Sequence, residues 1–149
     1  MIGAENRIRE QLKKIGLDEN HKIEIVNSTN KQKREKYVKH LYKKVQREGQ
    51  LERDVDRLVS KERIAWGASM IACKDADARV KGNIRHYAVS IEKLKKVVDP
   101  RPGEEIFGMT MINAKGKTIL VADTNVQDFP SAQRLVEVSK SCVRVARLF

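Results

Sequence analysis

The stretch Asp75-Ala76-Asp77-Ala78-Arg79-Val80-Lys81-Gly82-Asn83-Ile84-Arg85-His86-Tyr87 holds the residues of this chain best suited to binding chemistry. It reads as a very short strand around Arg79 and Val80, a break at Gly82 and the start of a helix. In open α/β sheets ligands sit beyond the carboxyl ends of strands. A helix N-terminus there offers unpaired backbone N–H groups and the positive end of a dipole. Lys81 and Arg85 add positive charge, so the combination suits a phosphate or a carboxylate. An ordinary strand-to-helix connection uses the same residue types, and the pattern alone leaves both open.

A second candidate is Val121-Ala122-Asp123-Thr124-Asn125, at the end of a strand. Its polar tip, Asp123, Thr124 and Asn125, faces the same side as the first loop if the two strands run parallel. The same three residue types also make turns by bonding nearby backbone. A third is the basic segment in which Lys31, Lys33, Arg34, Lys36, Lys39, Lys43, Lys44 and Arg47 surround an apolar stripe of Tyr37, Val38, Leu41, Tyr42 and Val45. The stripe is the buried side of a helix and the cations are its solvated face. Neither zinc-finger spacing nor an aromatic nucleic-acid pattern accompanies them.

Other chemistry finds little support. Cys73 and Cys142 lie far apart in apolar stretches and read as small buried hydrophobes. His21, His40 and His86 form no ligand pair with each other or with a cysteine, so no metal centre is expected. Nucleophile elbow, P-loop and dinucleotide fingerprint are missing.

The elements that must position these residues follow from periodicity. Helices are expected over Ala4–Ile15 and from Thr29 to about Glu48, the latter opened by a capping box with Gln32. Further helices are expected at Leu51–Val59, at Lys61–Cys73 capped by Ser60, at about Ala88–Val98, and after the cap Ser131 to the end. The segment Ile64–Ala72 is apolar all round and should be buried on several sides. Strands are expected at Lys22–Val26, Ile106–Ile112 and Thr118–Ala122, the last two joined by a hairpin loop containing Gly116. The class is α/β, a small mixed sheet flanked by helices.

The 149 residues fit one domain, 40% hydrophobic and 34% charged, with a formal net charge of +11. That charge invites a nucleic-acid partner, provided it gathers on one face. No apolar run nears the roughly 20 residues that span a bilayer, and the charged first ten residues do not resemble a signal peptide. No membrane partner and a cytoplasmic location are expected.

The block Asp75-Ala76-Asp77-Ala78, then Val80, Gly82 and Asp99-Pro100-Arg101-Pro102-Gly103, resembles the DAD–V–G … KPG block of phosphate acetyl/butyryl transferases. Val121-Ala122-Asp123-Thr124-Asn125-Val126 followed by Pro130-Ser131-Ala132 resembles that family's ADT–V–PTAEELAEIA block. Tyr37, Tyr42, Gly49 and the helix Ile64–Cys73 fall in matching places. Gly82, Arg85 and Tyr87 are similar to the G–x–x–R–x–Y pattern of the branch carried at the end of bacterial NADP-dependent malic enzymes. Glu92 stands where stand-alone phosphotransacetylases have an active-site arginine, and a carboxylate there repels phosphate.

The resemblance implies an incomplete portion of the phosphate acetyl/butyryl transferase fold over residues 1–149, a fragment with no catalytic residues of its own. It implies roles in oligomer contact and in regulation by an acyl-coenzyme A. Acetyl-CoA is the implied effector. NADP and a divalent metal belong only to a full-length malic enzyme. Lys81, Gly82, Asn83, Arg85 and Tyr87 are the implied ligand contacts, with Asp123, Thr124 and Asn125 opposite. The implied partners are a second copy or the remainder of the enzyme. A phosphate acyltransferase subunit and a basic nucleic-acid-binding protein remain as alternatives.

Overall fold

The computed structural model describes residues 1–17, 23–82, 84–124, 126 and 129–148. The chain divides into two compact units, Met1–Asp99 and Pro100–Phe149. The α/β class expected from the sequence holds: six α-helices accompany a two-stranded antiparallel sheet among the described residues.

The first unit is helical. It contains α1 (Glu5–Lys14), α2 (Lys31–Val45), α3 (Glu52–Lys61), α4 (Arg63–Ala72) and α5 (Tyr87–Lys95). Asn30 caps α2, its side chain accepting the Lys33 N–H at 3.1 Å; the expected Thr29 cap is displaced by one residue. Tyr37, Val38, Leu41 and Val45 form the buried stripe of α2, and Val55 and Val59 that of α3. A single extended residue, Glu62 (φ −107°, ψ 106°), separates α3 from α4. Ser60 does not cap α4; its hydroxyl instead donates to the Asp56 carbonyl at 2.6 Å inside α3.

α4 is the centre of this unit. Every residue from Ile64 to Ser69 is buried, as its all-round apolar composition requires. The Trp66 and Tyr37 rings meet edge to face, centroids 5.0 Å apart at 82°, a pairing that adds about 1 kcal/mol beyond burial. Gly67 permits close packing here. A Cβ at this position would lie 2.7 Å from the Arg79 side chain and 3.2 Å from Ile2 Cδ1.

Two expected strands are corrected. Ile23–Val26 reduces to one parallel bridge, Val26 with Ile2, closed by Gly3 N–H to the Val26 carbonyl at 3.0 Å. Lys22 lies outside the described residues. Arg79 and Val80 form no strand: Val80 is 97% exposed and pairs with no strand among the described residues. A β-branched residue favours a strand only where a partner and a packed face exist.

The second unit contains β1 (Met109–Ala114), β2 (Lys117–Ala122) and α6 (Ala132–Ala146). The strands pair from Met109↔Ala122 to Ala114↔Lys117, so only Lys115 and Gly116 form the loop. Both have positive φ (49° and 74°), the backbone of a tight hairpin turn whose twist matches its strands. Ser131 caps α6 as expected, accepting the Arg134 N–H at 3.2 Å. α6 packs on β2, and Cys142 Sγ lies 3.7 Å from Met109 Sδ of β1. Arg134 is buried and donates to the Ile106 carbonyl at 2.7 Å. The opposite sheet face, with Ile112, Ile119 and Val121, is exposed.

Candidate anion-binding segments

Lys81, Arg85 and Tyr87 are all exposed, in the connection that leads into α5. The Lys81 ammonium donates to the Arg85 carbonyl at 3.1 Å, folding the connection back on itself. Arg85 reaches Glu62 at 2.8 Å, and Lys93 of α5 binds the same carboxylate oxygen at 2.8 Å. The hydrogen bond from Lys93, then that from Arg85, holds the Glu62 carboxyl below its usual range. Two cations share one carboxylate, and Lys81 is joined to them through the Arg85 carbonyl, so the cluster keeps a net positive charge. Gly82 has open space around it, and Asn83 lies outside the described residues.

The N-terminus of α5 is partly occupied by its own cap. His86 Nδ1 accepts the Ala88 N–H at 3.3 Å, which removes one of the donors available to an external anion. Glu92 is exposed on α5 and pairs with Lys96 at 3.0 Å.

Asp75 and Arg79, read with this stretch, serve packing. Asp75 accepts the Lys36 ammonium at 2.6 Å and the Tyr37 hydroxyl at 2.7 Å. The Arg79 guanidinium points to the Ile64 carbonyl at 3.4 Å.

The other candidate segment belongs to the second unit. Asp123 has left-handed backbone (φ 59°), and its N–H donates to the Gly108 carbonyl at 2.6 Å. Both of its carboxylate oxygens are sealed from solvent and accept no hydrogen bond from the described residues. The Thr124 hydroxyl pairs with that of Thr110 at 3.1 Å. Asn125 lies outside the described residues. The two segments fall one in each unit, so each is described by itself.

Sequence reasoning missed Glu62 and Lys93. Both contacts to Arg85's cluster come from helices read only for their apolar stripes, and nothing in the local pattern marks a carboxylate 23 residues upstream as a partner. Half of the eight cations named for the basic face of α2 are used internally: Lys33 pairs with Glu24 (3.9 Å), Arg34 with Asp56 (2.7 Å), Lys36 with Asp75 (2.6 Å) and Lys44 with Asp99 (2.7 Å). Among the described residues no cluster of His, Cys, Asp or Glu could hold a metal ion, and no helix is long and apolar enough to cross a membrane.

The family model of phosphate acetyl/butaryl transferase matches residues 1–149, and the chain belongs to that family. It is 35% identical over 148 residues to an NADP-dependent malic enzyme of Rhizobium meliloti (strain 1021), covering 99% of this chain and 19% of the relative. It is 26% identical over 152 residues to the NADP-dependent malic enzyme of Escherichia coli (strain K12), covering 100% of this chain and 20% of the relative. A phosphate acetyltransferase of Nitratidesulfovibrio vulgaris is 24% identical over 150 residues, 100% of this chain and 21% of the relative. The chain thus spans about a fifth of the length of the curated relatives it matches.

Proposed function

We propose that this chain is a portion of the phosphotransacetylase-like region of an NADP-dependent malic enzyme, serving oligomer contact and regulation by an acyl-coenzyme A. In this reading Lys81, Gly82, Asn83, Arg85 and Tyr87 contact the ligand's phosphates or acyl group. The observation that carries it is the single Glu62 carboxylate shared by Arg85 and Lys93, with the exposed Lys81 ammonium on the Arg85 carbonyl, which leaves an excess of positive charge. The similarity to malic enzymes over 99% of the chain supports the assignment. The exposed Ile112, Ile119 and Val121 face supports a contact with a second copy or with the rest of the enzyme.

Thermal unfolding with and without acetyl-CoA tests the regulatory half of this reading. Ligand at 100 times its dissociation constant adds about 2.7 kcal/mol, several degrees in midpoint. Arg85→Ala should abolish most of that gain. A midpoint unmoved by acetyl-CoA in the unaltered chain argues against the cluster as the ligand site.

A second reading, a phosphate acyltransferase subunit, is favoured by the similarity to a phosphate acetyltransferase. The exposed Glu92 carboxylate in α5 speaks against it. Release of coenzyme A from acetyl-CoA and phosphate in the presence of this chain would establish it, and no release would remove it.

A further inference from the structure

The acids of α1 are already engaged: Glu5 pairs with Arg9 at 2.7 Å and Glu10 with Lys14 at 2.8 Å. Among the described residues Arg7, on the same helix, has no hydrogen-bond or ion-pair partner, and neither does Arg63 at the start of α4. Glu62, the acid next to Arg63 in sequence, is bound instead by Arg85 and Lys93. Both free guanidinium groups border one open groove of about 410 Å³, whose apolar wall is Ile2, Ile8, Leu12 and Ile15. Gly3 keeps the near end of this groove open. A Cβ there would lie 3.1 Å from Ile8 Cδ1 and 4.0 Å from Arg63 Cζ. The Arg63 guanidinium therefore sits at the Ile8 end, Arg7 lines the same groove one residue from Ile8 in sequence, and the apolar stripe runs from there to Ile15, which is 68% exposed.

An apolar groove of this size with a few polar groups at one end has the make-up of a small-molecule site. Unpaired guanidinium groups select a carboxylate, for which their planar donors are matched. The helical rise from Ile8 to Ile15 gives about 10 Å of apolar wall, the length of about eight extended carbons. We propose that this groove binds an unbranched aliphatic carboxylate, with its head at Arg7 and Arg63 and its tail along Ile8, Leu12 and Ile15. The site is separate from the Lys81–Tyr87 segment and does not depend on its assignment.

Titration of the full chain with sodium octanoate, followed by amide chemical shifts, tests this. Shifts should concentrate at Gly3, Ile8, Leu12 and Arg63. Affinity should tighten about fourfold per added methylene from butanoate to octanoate, the increment of burying a methylene. Arg7→Gln and Arg63→Gln should each weaken octanoate about fivefold, the loss of one charge-assisted hydrogen bond at a half-exposed site. Octan-1-ol, with the tail but not the charge, should bind the unaltered chain at least tenfold more weakly. Three outcomes overturn the proposal: affinity independent of chain length, octanol binding as tightly as octanoate, or a dimer formed through α1 that octanoate fails to dissociate. The last assigns the groove to a second copy.

Discussion

The Tyr37 hydroxyl donates to Asp75 at 2.7 Å across 38 residues of sequence. Lys36, beside Tyr37, donates to the other oxygen of the same carboxylate at 2.6 Å. Asp75 follows α4, so the pair ties the exit of α4 to the middle of α2. The hydrogen bond from Lys36, then that from Tyr37, holds the Asp75 carboxyl below its ordinary range, and burial, reinforced by Asp75, pushes the Tyr37 phenol well up. Tyr37→Phe keeps the ring against Trp66 and removes only the hydroxyl. It should lower stability by about 1–2 kcal/mol, seen as a lower urea midpoint at unchanged slope. An unchanged midpoint would show that Lys36 alone satisfies Asp75.

The acid limb of stability should come from Asp75 and Glu62. Both carboxyls titrate below their ordinary values in the folded chain, so the unfolded chain binds more protons as pH falls through that range. Their contribution is complete above the ordinary carboxylate range and is lost as pH drops through the depressed folded values. Lys36 acts at the other end. Its hydrogen bond to Asp75 raises its titration, so its contribution is complete below the ordinary lysine range and fades as pH rises through the raised value. Burial also pushes the Cys73 thiol up, so the alkaline loss begins in the ordinary thiol range and thermal midpoints across pH should show a plateau from about pH 5 to about pH 8. Glu62→Gln should make the fall below that plateau shallower.

Gly108→Ala should damage the second unit. A Cβ at Gly108 would lie 2.2 Å from the Thr124 carbonyl oxygen, a backbone atom that cannot swing aside. Overpacking of this kind costs about 1–3 kcal/mol or more. Hydrogen exchange should speed up at Met109–Ala122 and remain unchanged in α2 and α4. Uniform protection in both variants would refute the clash.

Asp123→Asn should stabilise the isolated chain. The two carboxylate oxygens are sealed and unpaired, and burying an unpaired charge costs several kcal/mol. Asparagine has the same shape and tolerates the left-handed backbone at this position (φ 59°). A gain of about 1–2 kcal/mol in thermal or urea unfolding is expected. A loss would show that the carboxylate has a donor when the chain is in solution.

Glu92→Arg exchanges a carboxylate for a cation on α5 and breaks the pair with Lys96. Under the acyl-CoA reading it should tighten acetyl-CoA binding several-fold at low salt, since exposed charges act through a screened field. Equal affinity in both forms would place the ligand beyond reach of this face.

The helices were legible because burial has a period. Tyr37, Val38, Leu41 and Val45 announce the inner face of α2, and the small, mostly apolar segment Ile64–Ala72 announces a helix buried on several sides, of which Ile64–Ser69 is buried. Caps were legible where the side chain had one option, as at Ser131, and misplaced where Thr29 and Asn30 competed for the same role. Val80 misled because strand preference depends on a partner that the local sequence does not reveal. The hairpin around Gly116 was legible, and its turn is the two residues Lys115 and Gly116. At the candidate site Lys81 and Arg85 were visible as charges. That they share a neighbourhood with Glu62 and Lys93, and that Asp123 turns its oxygens away from water, are facts of tertiary packing.

The division at Asp99 also sets an order of events during synthesis. Met1–Asp99 leaves the ribosome ahead of Pro100–Phe149. Its core, from Val26 to Val97, is complete within its own residues. Making the remaining chain takes seconds, whereas helices and short loops close in microseconds. The helical unit can therefore bury Trp66 and Tyr37 before the uncovered Ile112, Ile119 and Val121 face exists, so its sticky segments and that face need never be unfolded together.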